Sequence, residues 1–405
     1  MEKKLKKEQH FLGKRGTLLF LVLISAFPPL TTDIYLPAMP HMVETFATNQ
    51  SMVNMTLTIY FITYAAGLLF WGPLSEKFGR KPILLTGLGI YIICSILCAF
   101  SMNIEFLIFS RMLQAFGGSA VTVVATAIVK DLYDGREREK IMATVMSLVI
   151  IAPMVAPVLG AFLLKVSSWQ MIFVALAIFG GISTIFAFLY QETLEEKYSG
   201  SMLRSWGRLG VVLKNPHFIT LLVIFSMVSM SIMSFLAVAS YIYIDGFGLT
   251  EQEFSFIFAF NALFAIIGPT LYIRISNYVS IQNIVSCCFA LMMCCGLIVF
   301  TFGHLSPWLF AFTVAPATVT VVIMRVPGVN LMLEQQQGDT GSAAALIQFF
   351  GMIMGALGMI LVSLDPDSLI KNLGTIQAVV GFTGGLLWLI VRNRPFVTDN
   401  VLQIQ

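Results

Sequence analysis

The chain has 405 residues, of which 58% are hydrophobic and only 11% charged. Soluble domains carry about 25% charged residues, so this composition and a mean hydropathy of +0.87 exclude a soluble enzyme or signalling domain. The net charge of +3 is no nucleic-acid signal, because the basic residues are spread over several short loops between apolar runs.

Apolar runs of roughly the 20 residues a spanning helix needs recur twelve times, over residues 16–40, 52–74, 82–101, 104–129, 139–164, 168–190, 218–244, 253–274, 280–302, 306–329, 340–364 and 372–391. The first follows a basic stretch but has no small-residue cleavage site, so it reads as a retained span with a bend at Pro28-Pro29 beneath Asp33. Of the 24 Lys and Arg, only Lys165 and Lys371 fall in the loops of one face, while Arg111 and Arg325 fall inside spans. All the others fall on the opposite face, which makes that face cytoplasmic and places both termini there.

One long polar connection, 191–216, divides the chain into an N-terminal six-span bundle (1–190) and a C-terminal one (217–405). Its stretch 203–213 predicts a short amphipathic helix on the membrane surface. Gly72-Pro73 and Gly268-Pro269 end the second span of each half, and cysteines mark the third, as in diverged repeats about an axis along the membrane normal. The expected fold is therefore all-α, with twelve transmembrane helices in two pseudo-symmetric bundles. Cys94, Cys98, Cys287, Cys288, Cys294 and Cys295 read as small apolar residues in helices. Neither they nor His10, His41, His217 and His304 form a metal-binding pattern. The chain contains no phosphate-binding glycine loop, and no cofactor is implied.

Asp33 is the one carboxylate placed well inside a span. A charge at that depth costs about 2.5–3.5 kcal/mol on insertion scales, so such an acid is a functional candidate, here one that takes up and releases a proton in exchange for substrate. The competing reading is a structural acid in contact with Thr31 or Thr32. Arg111 reaches a similar depth, roughly 12 Å from the outer surface at about 1.5 Å per residue. An ion pair with Asp33, or a relay through Gln114 one turn on, is the expected arrangement. The alternative is an arginine that binds backbone carbonyls.

In the fifth span, Pro153, Ala156, Pro157 and Gly160 combine helix bending with close approach of a neighbour. Tyr35, Tyr64, Phe235, Tyr241, Phe258, Asn261, Asn330 and Gln348 are candidates to line a substrate path, since amides and hydroxyls in hydrocarbon need a partner or a wet cavity. Arg325 either binds an anionic substrate or snorkels to the inner surface.

Four stretches carry a family resemblance. The turn Gly72-Pro73-Leu74-Ser75-Glu76-Lys77-Phe78-Gly79-Arg80-Lys81 resembles the signature loop between the second and third helices of the major facilitator superfamily. Thr32-Asp33-Ile34-Tyr35-Leu36-Pro37-Ala38-Met39-Pro40 is similar to the first-helix signature of its twelve-helix drug:proton antiporters, especially the Bcr/CflA-like subfamily. Arg111-Met112-Leu113-Gln114-Ala115-Phe116-Gly117-Gly118 resembles the fourth-helix arginine motif. Ala152-Pro153-Met154-Val155-Ala156-Pro157-Val158-Leu159-Gly160-Ala161 resembles the fifth-helix antiporter motif. Three positions depart from the pattern: Glu76 stands for the usual Asp, while Ala115 and Ala156 stand for glycines.

The resemblance implies a proton-coupled exporter of small lipophilic compounds in a bacterial inner membrane, not an enzyme. It implies small-molecule substrate, protons and lipid as partners, with no nucleic acid, in a monomer. Gly72, Glu76, Gly79, Arg80 and Lys81 would form a cytoplasmic gate, with Glu76 against the helix that opens at Gly338. Export of an endogenous metabolite such as a siderophore or peptide-like compound remains open at this point. A membrane-embedded enzyme or receptor would need a matched nucleophile or a soluble domain, and the chain offers neither.

Overall fold

The computed structural model describes residues 9–133, 135–149, 151–194, 202–336 and 340–398. Their regular structure is entirely helical: α1 Gly13–Ser25, α2 Phe27–Asp33, α3 Met39–Thr45, α4 Gln50–Phe78, α5 Arg80–Ala99, α6 Ile104–Leu132, α7 Gly135–Val149, α8 Ala152–Val166, α9 Gln170–Leu189, α10 Met202–Val212, α11 Pro216–Ser240, α12 Glu251–Ser276, α13 Ile281–Phe302, α14 Pro307–Glu334, α15 Thr340–Val362 and α16 Leu369–Val391. Short 3-10 turns at Leu36–Ala38 and Pro366–Ser368 and a π-turn at Tyr241–Gly246 complete it. Ten of these helices are long and apolar enough to cross a membrane.

The remaining two of the twelve predicted spans are broken, and proline explains both. The first is bent by 42° between Gly13–Ser25 and Phe27–Thr45. Pro28 and Pro29 occupy the first turn of α2, where a missing N–H costs nothing, so the chain restarts a helix there instead of continuing α1. Pro37 and Pro40 then start the 3-10 turn and α3 in the same way. The fifth span divides into α7 and α8, with Pro153 in the first turn of α8 and Pro157 inside it. Pro153 is thus a helix start rather than the interior kink expected from sequence. Asn103, Asn215 and Thr250 cap α6, α11 and α12 through their side chains, Thr250 in a reciprocal box with Glu253.

Two compact units result, one of residues 1–48 and 59–206, the other of residues 49–58 and 207–405. In the first, α5 and α6 cross with backbones almost touching. A Cβ on Gly87 would lie 2.8 Å from the Gly117 carbonyl oxygen, so only glycine fits and the polar side chains of the two helices come within bonding reach. The second unit closes around Phe218, Phe225, Phe289, Met292 and Trp388.

The Gly72–Lys81 turn belongs to the first unit and is tied down on one side. Gly79 has φ +109°, a conformation that side-chain-bearing residues avoid. Arg80 Nε pairs with Asp131 at the end of α6 at 2.9 Å, and its Nη1 donates to Ser75 Oγ at 2.7 Å. The Lys81 ammonium donates to the Phe188 and Tyr190 carbonyls at 2.7 and 2.6 Å, closing the C-terminus of α9 where a cation is favoured. Glu192 accepts from the Lys81 backbone N–H at 3.0 Å. Glu76 is exposed, and its side chain makes no hydrogen bond or ion pair with another described residue. Gly338 and Asp339, expected to open its partner helix, lie outside the described residues.

Candidate functional site

Asp33 ends α2 with 6% of its surface exposed. The only hydrogen bond to its carboxylate among the described residues is from the neighbouring Thr32 hydroxyl, at 2.8 Å. That hydroxyl has a single proton and also lies 3.0 Å from the Pro28 carbonyl, so the carboxylate shares even this donor. Beside it, α8 packs against the chain so closely that a Cβ on Gly160 would collide with the Ile34 carbonyl oxygen. Ala156 and Pro157 are buried on the same helix. The proline- and glycine-bearing segment therefore braces the backbone that carries Asp33.

Arg111 is fully buried in the middle of the unit and is not paired with Asp33, which corrects the expected ion pair. Its Nη1 donates to Gln114 Oε1 at 2.7 Å and to the Thr31 carbonyl at 3.4 Å. Its guanidinium carbon lies 4.4 Å from the Tyr60 ring centroid, 5.1 Å from Tyr35 and 5.8 Å from Phe173. An aromatic cage of this kind stabilises a cation through the ring quadrupoles without a counter-ion. The physical reason for the separation is backbone geometry: with α2 ended at Asp33, the arginine meets the Thr31 carbonyl and not the acid.

Gln114 does not bridge the two either. Its Nε2 donates to Ser95 Oγ at 2.7 Å, and Ser95 donates in turn to the Tyr91 carbonyl. The Tyr91 and Thr31 hydroxyls are 2.6 Å apart. Thr31 gives its proton to the Phe27 carbonyl, so Tyr91 is the donor between them. A ring of polar contacts thus runs from Arg111 through Gln114, Ser95, Tyr91 and Thr31 back to Arg111. Arg111 Nε and Nη2 and the Tyr60 hydroxyl are buried without a partner among the described residues.

The sequence motifs single out Asp33, Arg111 and Gln114 but not Tyr60, Tyr91, Ser95 or Phe173. The signal that could have found them is spacing: Tyr60 with Tyr64, and Tyr91 with Ser95, repeat at one helical turn within apolar runs. Tyr35 lies under Arg111, and the Tyr64 hydroxyl donates to Thr122. In the second unit Phe235 and Phe258 stack at 6.0 Å, Tyr241 is buried at the start of the π-turn, and buried Asn261 donates back to the Ile257 carbonyl at 3.3 Å. Arg325, Asn330 and Gln348 are exposed, and their side chains hydrogen-bond no other described residue. No group of three or more metal-ligating side chains occurs among the described residues.

These helices, broken spans and signature turn coincide with a match to the Major Facilitator Superfamily over residues 21–359. The chain belongs to that superfamily. It is therefore a multi-span membrane transporter, and the caged arginine and lone carboxylate are features of a transporter's interior. The chain is similar to the bicyclomycin resistance protein homolog of Haemophilus influenzae, 26% identical over 91% of this chain and 94% of that one. It is also similar to a chloramphenicol resistance protein of Pseudomonas aeruginosa, 32% identical over 61% of this chain and 59% of that one. Among solved structures it shares its fold with a peptide transporter, POT, in complex with sulfate, at a TM-score of 0.76 and 13% identity over 98% of this chain and 99% of that one.

Proposed function

We propose that the transporter is a proton-coupled antiporter that exports small lipophilic drugs from the cytoplasm by alternating access. What supports this reading is Asp33, a carboxylate shielded from solvent, left with one shared donor, and held apart from the arginine of the same unit. A charge that costs free energy at this depth is one the protein can discharge by protonation or by a bound solute. The resistance proteins among the relatives support the substrate class. On this reading the protein is a monomer in a bacterial inner membrane with both termini cytoplasmic, and the Gly72–Lys81 turn gates the cytoplasmic side. One charge moved through about 100 mV supplies about 2.3 kcal/mol, and each tenfold gradient costs about 1.4 kcal/mol. One proton thus sustains roughly a fortyfold gradient of a neutral solute.

The test uses inside-out vesicles carrying the full chain, an imposed pH gradient, and chloramphenicol and bicyclomycin as probes. Gradient-dependent accumulation of either compound by the wild type, abolished in a folded Asp33→Asn variant, is the expected result. Gradient-driven transport retained by Asp33→Asn would overturn the assignment of coupling to this residue.

A further inference from the structure

The second unit holds a cavity beside the start of α4. It has a volume of about 360 Å³ and lies between Gln50, the Tyr241–Gly246 π-turn, the end of α13 and residues 366–371 leading into α16. Small-molecule sites run from about 300 to 1,000 Å³. Ile242, Phe300 and Leu369 give it an apolar wall.

The carboxylates of Asp245 and Asp367 line this cavity, together with the Lys371 ammonium and the His304 imidazole. Asp367 lies in the 3-10 turn and Lys371 in the first turn of α16, four residues apart on the same rim of the cavity. Yet they form no salt bridge. Neither of these side chains nor that of His304 hydrogen-bonds or pairs with any other described residue. Gln50 adds an amide Nε2 that is shielded from solvent and has no acceptor among the described residues. The unanswered Gln50 donor and the unpaired Asp367 and Lys371 side chains around one cavity match a ligand that carries both signs.

We propose that this cavity binds a compact zwitterion. The ammonium group of the ligand meets Asp367 and Asp245, its carboxylate or phosphate meets Lys371, His304 and the Gln50 amide, and its apolar part lies on the wall of Ile242, Phe300 and Leu369. A dipeptide and an ethanolamine lipid headgroup share this chemistry. The site uses none of the residues around Asp33 and stands whether or not proton coupling does.

The experiment is isothermal titration of the full-length protein in phosphatidylglycerol nanodiscs with L-alanyl-L-phenylalanine, its N-acetyl and C-amide forms, and O-phosphoethanolamine. Saturable binding of at least one zwitterion is expected. Blocking either end of the dipeptide, where it is the one that binds, weakens it about tenfold or more. Asp367→Asn weakens the zwitterion but leaves the affinity of the N-acetyl form unchanged, and Lys371→Met does the same for the C-amide form. This crossed pattern separates direct contact from a folding defect. Repetition in discs containing phosphatidylethanolamine identifies the source: competition assigns a lipid headgroup, and an unchanged affinity assigns a soluble ligand. Absence of saturable binding by both zwitterions, equal affinity across the three dipeptide forms, or insensitivity to both substitutions overturns the proposal.

Discussion

Arg111 donates from Nη1 to Gln114 Oε1 at 2.7 Å, one turn along the same helix, so the best acceptor of a fully buried guanidinium is a neutral amide. The only buried carboxylate among the described residues, Asp33, accepts from Thr32 instead. A permanent cation and a titratable acid thus share one unit without neutralising each other. The cation is held by rings and a side-chain amide, and the acid by one shared hydroxyl.

Gln114 carries the consequence most directly. Hydrogen bonds to charged groups contribute about 1.5–3 kcal/mol, and Gln114→Leu removes the one at 2.7 Å while leaving Ser95 without its donor. The variant is expected to melt several degrees lower in detergent. Ser95→Ala removes two neutral bonds, the one from Gln114 and the one to the Tyr91 carbonyl, and should cost about 1–2 kcal/mol. A thermal unfolding series over the two single variants and the double variant should show less than additive losses, since both remove parts of one ring of contacts.

Arg111→Lys keeps the charge but not the shape. The planar guanidinium lies over three rings at 4.4, 5.1 and 5.8 Å while donating to Gln114. A lysine ammonium is a compact, strongly hydrated point charge and cannot meet the rings and the amide together. Cation–π contacts reach about 2 kcal/mol when desolvated. The expected outcome is folded protein with gradient-driven transport reduced about tenfold or more, measured in vesicles against the wild type.

Much of this could be read from the chain before any coordinates. Hydropathy gives the spans, because in a bilayer every backbone polar group must be satisfied within its own helix. Asp33 and Arg111 stand out because charges are rare in apolar runs. That the two do not pair was not legible. It depends on where α2 stops, and Pro28-Pro29 and Pro37 break the first span into pieces whose carbonyls, not carboxylate, face Arg111. Tyr91 and Ser95 escaped for the opposite reason: a hydroxyl on an apolar helix is common, and only the folded chain brings Ser95 to Gln114 across the close crossing of α5 and α6, and Tyr91 to Thr31 of α2. For the signature turn, the basic residues were evident but their acidic partners, Asp131 and Glu192, are distant in sequence.

Those partners give a double-mutant test. Arg80 and Asp131 expose only 8% and 15% of their side chains, and breaking a buried pair costs about 3–5 kcal/mol because one charge is left uncompensated. Residual exposure places Arg80→Gln and Asp131→Asn at the low end of that range. The double variant should recover part of the loss, giving a coupling of about 1–3 kcal/mol. Glu76→Gln, at an exposed position in the same turn, should change stability by less than about 0.5 kcal/mol. Unfolding midpoints of the four variants in one detergent decide between a turn held by Asp131 and one held by Glu76.

Gly160 tests whether α8 positions Asp33. A Cβ there would collide with the Ile34 carbonyl oxygen, and backbone cannot rotate away as a flexible side chain can. Overpacking of this kind costs about 1–3 kcal/mol, and the strain falls one residue from the carboxylate. Gly181→Ala on α9 is the control, because a Cβ at that position meets nothing within 4 Å. The control is expected to match the wild type in expression, melting and transport. Gly160→Ala should melt lower and lose transport more steeply than stability, which separates displacement of the acid from a general weakening of the fold. Transport that falls only in proportion to the amount of folded protein would show that the close approach of α8 serves packing alone.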